Sequence, residues 1–65
     1  MDTSLNNVIL AVVVMNDKVK KVSGGAPIFI AENEKELEKI SMLISRVTMS
    51  MVHEISDGIR IIVKH

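Results

Sequence analysis

Val8-Ile9-Leu10-Ala11-Val12-Val13-Val14-Met15 is an unbroken run of eight apolar residues, five of them β-branched. A strand with one wet face would alternate apolar and polar residues, whereas a strand covered on both faces reads as a continuous run. The run is too short to cross a bilayer, which takes about 20 residues as a helix. It therefore predicts a central strand with something packed on each side. The rest of the chain has to supply, or recruit, those two covers.

Sixty-five residues allow one domain, spanning 1–65, with residues 1–6 expected to fray. A chain of this size buries only about 60% of its unfolded surface and commonly needs a disulfide, a metal or a partner to hold it. There is no Cys, and the two histidines are too few to anchor a structural metal, so no cofactor or metal is expected and self-association is the expected support. Eight basic residues balance eight acidic ones, against the strongly basic footprint of a general nucleic-acid binder. Phe29 is the only aromatic residue, leaving almost nothing for bases to stack on. MDTSLNN carries no basic segment ahead of the apolar run, so it does not resemble a secretory signal. With the missing cysteines, this points to a cytoplasmic protein with no membrane segment.

Outward from the first strand, Asn16-Asp17 suits a tight hairpin turn, and Lys18 to Val22 predicts a second strand returning from it. Its lysines are of the kind that keep an edge strand from pairing. Ser23-Gly24-Gly25-Ala26-Pro27 breaks the pattern, and Ile28 to Ala31 makes a short third strand. Asn33 followed by Glu36 has the spacing of a capping box, and Glu34, Glu36 and Glu38 suit the positive end of a helix. Leu37, Ile40, Ile44, Val47 and Met51, widened by Leu43, recur at helical spacing and predict a helix to about His53. Ser56-Asp57-Gly58 is the turn out, and Ile59 to Lys64 the last strand. Within it Ile59, Ile61 and Val63 share one face.

The fold expected is α+β, in the order β-β-β-α-β. One four-stranded mixed sheet, with strand order 3-2-1-4 preferred and the fourth strand parallel to the first, carries a single long helix on one face. One helix covers one face only, so the other is expected to be buried by a second copy of the chain. Val12, Val13 and Val14 are the candidate contacts on the sheet. Met42 and Met49, seven residues apart on the outer side of the helix, are candidates there, since thioethers adapt to irregular contacts. Another protein subunit is the other candidate occupant.

Chemical signatures are sparse. The Gly24-Gly25 loop lacks the Gly-Lys-Ser/Thr ending of a phosphate loop and leads into a strand. His53, Glu54 and Asp57 are the residue types of a metal site or a general base, but a His at a helix end is more often a cap than a ligand. Ser23, His53 and Asp57 supply the residue types of a triad without a nucleophile elbow. The reading is a non-catalytic homo-oligomeric binding or assembly module. A second reading is weak, salt-sensitive nucleic-acid binding through Lys18, Lys20 and Lys21. A third is a small ligand held between subunits.

Overall fold

The computed structural model describes residues 8–22 and 24–64; the expected fraying of residues 1–6 lies outside them, as do Ser23 and His65. The class is α+β, with one four-stranded mixed sheet and one helix. Strand β1 is Val8–Met15, the full apolar run. A 3₁₀ helix, Asn16–Lys21, follows it, then β2 (Ile28–Ala31), helix α1 (Glu34–Thr48), β3 (Met51–Ser56) and β4 (Ile59–Lys64). The sheet runs β2-β1-β4-β3. Strand β1 pairs parallel to β2 and antiparallel to β4, and β3 pairs antiparallel to β4.

Two elements differ from the sequence reading. Lys18 to Val22 is not a strand: Lys18, Lys20 and Lys21 lie in the 3₁₀ helix, and the Val22 N–H reaches the Val19 carbonyl. Val19 and Val22 are three residues apart, the period of a 3₁₀ turn, so both fall on one side of it. Met51 to Ser56 is a strand and not the end of the helix. It forms a tight hairpin with β4 through Asp57-Gly58, with Gly58 at φ 81°. That hairpin reverses the last strand, which is why β4 lies beside β1 as expected but antiparallel to it.

Helix α1 begins as its sequence suggests. The Asn33 Oδ1 accepts the Glu36 N–H at 2.8 Å, and the Glu36 carboxylate accepts the Glu32 N–H at 2.7 Å. It ends in a Schellman arrangement, with the Met49 N–H donating to the Arg46 carbonyl and the Ser50 N–H to the Ser45 carbonyl. Met49 holds the left-handed conformation, φ 54°, that such an end requires and that glycine usually supplies. The Lys64 Nζ donates to the carbonyl of Thr48 at 3.2 Å and ties the helix end to the last strand.

The core lies between this helix and the sheet. Leu37, fully buried, joins Ala11, Val13, Ala31 and Ile62, with Met15, Ile40, Ile44 and Val52 around them. The three hydroxyl residues of the helix belong to this side too: Ser41 is buried and Ser45 and Thr48 are half-buried. Val47, by contrast, is 82% exposed although it fits the apolar stripe. Arg60 also lies on the helix side, reaching Glu38 at 3.3 Å.

Among the described residues Ser41 is the one buried polar residue of the core, and its Oγ has no hydrogen-bond partner among them. Leaving a buried hydroxyl unbonded costs about 1–3 kcal/mol, and Ala is the better helix former by a few tenths. Ser41→Ala should therefore raise the stability by about 1 kcal/mol, read as a higher urea midpoint with an unchanged slope. A lower midpoint would mean that the hydroxyl is bonded after all.

Candidate partner-binding surfaces

Strand β1 presents two faces. Val13, pairing with Phe29 and Arg60, points to the helix and is fully buried. Val12 and Val14 point away from it. A register shift between Ile9 and Ala11 places Ile9 opposite Val63, on the same side as Val12. This second face also carries Ile28 and Ile30 of β2 and Ile59, Ile61 and Val63 of β4.

The second face is not left wholly to a partner. Parallel strands need a crossover, and residues 16–27 supply it between β1 and β2. Gly24, Gly25 and Ala26 meet Ile9 and Val12 around a concavity of about 360 Å³, so the crossover passes over this face. Val14 is fully buried and Ile59 and Val63 nearly so, although none belongs to the cluster under the helix. The expectation that the chain has nothing to place on this side is corrected to that extent. What stays exposed is a rim: Ile9, Ile28, Ile30 and Met51, with Val12 and Ile61 half-covered.

The five residues singled out as contacts thus separate. Val13 and Val14 have no surface to offer, and only Val12 faces the open concavity. Met42 is about half exposed and Met49 85% exposed, on the outer side of the helix and away from Val12. A more continuous apolar surface lies where sequence periodicity did not point. With Leu37, Ser41 and Ile44 facing the sheet, Glu38 projects to one flank, where it meets Arg60 of β4. Leu43 and Val47 then project to the opposite flank, towards β2. Phe29, on the helix side of β2, is 41% exposed there. The signal available in the sequence was the mismatch between a stripe six residues wide and a sheet that needs only Leu37, Ile40 and Ile44.

Lys20 and Lys21 are exposed on the 3₁₀ helix, while the Lys18 stem would lie 3.4 Å from a Cβ placed on Gly58. Arg60 and Lys64, which could have enlarged this cluster, are instead bound to Glu38 and to the helix end. His53 sits in β3 opposite Ile61, not at a helix terminus. Among the described residues no three His, Asp or Glu side chains converge as metal ligands would. No helix among them is long and apolar enough to cross a membrane.

A family model described as capping complex subunit for YIEGIA matches residues 6–65. The chain is also similar to YpzH, an uncharacterized protein of Bacillus subtilis (strain 168). The two are 37% identical over 65 residues, which is 100% of this chain and 98% of that one. No solved structure matches the chain.

Proposed function

The chain belongs to the family of capping complex subunits for YIEGIA, and we propose that it docks on a YIEGIA protein through the open face of its sheet, as a homo-oligomeric, non-catalytic subunit. An assembly role accounts for a small domain that is rich in exposed aliphatic residues and poor in chemistry. The observation that carries the reading is the concavity that Ile9 and Val12 form with Gly24–Ala26, on a sheet face that also exposes Ile28, Ile30 and Met51. The few dominant contacts of a protein interface concentrate in pockets near its centre, and this hollow offers one. Nucleic-acid binding is the weaker reading, because the lysines of the 3₁₀ helix stand apart from the other cations.

Val12→Asp tests it. Val12 is half-covered and lines the hollow, so a carboxylate there can reach water and the fold should survive. Loss of a central contact costs about 2 kcal/mol or more, so affinity for the YIEGIA protein should fall at least ~30-fold. The measurement is a binding titration alongside circular dichroism. A folded variant that binds with unchanged affinity would remove the open face from the reading.

A further inference from the structure

The geometry points to the outer edge of β2 as the surface on which two copies of this chain join. In that dimer β2 pairs antiparallel with its own copy about a two-fold axis at Phe29. The inference rests on the homo-oligomeric part of the reading above and leaves the open face to the other partner.

The sheet has two edges, and they are built differently. Strand β3 carries His53 and Glu54 and a register shift between Glu54 and Ser56, devices that keep an edge from pairing. Strand β2 is Ile28-Phe29-Ile30-Ala31, with no charge and no bulge, and among the described residues nothing pairs with its outer side. Self-pairing of β3 would have to accommodate that register shift and the Glu54 carboxylate, whereas self-pairing of β2 meets neither.

The register follows from the backbone. The Pro27 carbonyl accepts the Val12 N–H at 2.9 Å. Alternate residues of a strand face the same neighbour, so Phe29 turns its N–H and C=O towards β1, and Ile28 and Ile30 turn theirs outward. Two outward residues separated by one inward residue are self-complementary. In an antiparallel pair centred on Phe29, Ile28 exchanges both bonds with Ile30 of the copy, and Ile30 with Ile28. All of these free groups are then used. The same register sets Ile28 against Ile30 on the open face and Phe29 against Phe29 on the helix side.

A four-residue strand alone is too small, since a stable interface buries about 800 Å² on each partner. The exposed flank of the helix supplies the rest. Leu43 and Val47 project to the β2 flank, which also exposes Phe29, and the two-fold axis turns them towards the same flank of the copy.

Because the chain has no Cys, a single introduced one reports the register without interference. Directly opposed residues between hydrogen-bonded pairs have Cα atoms about 4.5 Å apart, within disulfide range. Phe29→Cys should therefore oxidise to a linked dimer in high yield. Ile30→Cys, whose own copy lies two residues off register, should not. In sedimentation equilibrium the native chain should show twice its 7.2 kDa mass. Ile28→Lys with Ile30→Lys should return it to 7.2 kDa with the helix signal retained. Val12→Asp, which probes the open face, should leave the Phe29→Cys cross-link intact, so the two readings fail separately. The inference is overturned if the native chain stays at single mass up to its solubility limit. It is equally overturned if Ile30→Cys links as readily as Phe29→Cys, or if the double lysine variant remains a dimer.

Discussion

Leu37→Ala is expected to remove most of the stability of this domain. Leu37 is the largest fully buried side chain, and it closes the space between the helix and the sheet. Truncating a buried leucine costs about 2–5 kcal/mol, more where the surroundings cannot collapse into the gap. The core around it includes Ala11 and Ala31, which have no side chain to move into the gap, and Val13 and Ile62, whose β-branched side chains are stiff and already fully buried. The value should therefore fall in the upper half of that range. A chain of this length has roughly 3–10 kcal/mol in total at the usual stability per residue. Urea unfolding at one fixed protein concentration measures the loss, fixed because self-association shifts apparent stability. Leu43→Ala is the comparison: exposed on the flank, it should cost no more than about 0.5 kcal/mol at a concentration where the chain is monomeric. Near-equal losses at the two leucines would mean that the helix is rotated from the orientation described.

The elements that carry their own chemical punctuation were legible in the sequence, and those that do not were missed. The two-sided run at Val8–Met15, the short strand Ile28–Ala31, the Asn33 cap and the strand Ile59–Lys64 all lie where their residues indicate. The helix end was hidden because Met49, not glycine, takes the left-handed position, and Met51 happens to fall in phase with the apolar stripe. Asp57-Gly58 was the available correction, since that pair between β-forming residues marks a two-residue hairpin and implies a strand before it. The 3₁₀ segment was read as a strand because its lysines suit an edge, although Val19 and Val22 do not alternate. Both errors follow from reading residue types without asking which backbone groups they leave unpaired. The candidate surfaces were legible only in kind. An apolar excess beyond what one helix and one sheet can bury is a property of composition. Which residues carry it depends on the rotation of the helix about its axis, and Arg60 with Glu38 marks that rotation only once the strands are in place.

Charge at Val13 gives the other large effect, with a sign dependence that the position of Arg60 dictates. Val13 is fully buried beneath the helix, and its neighbour across the β1–β4 ladder is Arg60. The Arg60 side chain is 14% exposed; it reaches Glu38 through one terminal nitrogen, while its buried Nε has no partner among the described residues. Val13→Lys would bury a second cation beside the first. The desolvation penalty alone is several kcal/mol per ion, comparable to the whole stability of the domain, and the like charge adds to it. That variant should be unfolded at 25 °C. Val13→Asp meets the same desolvation cost, but it brings a carboxylate to an arginine that has a donor to spare, and a hydrogen-bonded pair offsets part of the penalty. It should retain a folded fraction, with an unfolding midpoint well below that of the native chain. Combined with Arg60→Leu, which removes the pairing, Val13→Asp should fall to the level of Val13→Lys. Circular dichroism across a urea series on the three variants gives the ranking. Equal loss in Val13→Lys and Val13→Asp would show that Arg60 does not face Val13 closely enough to respond to its charge.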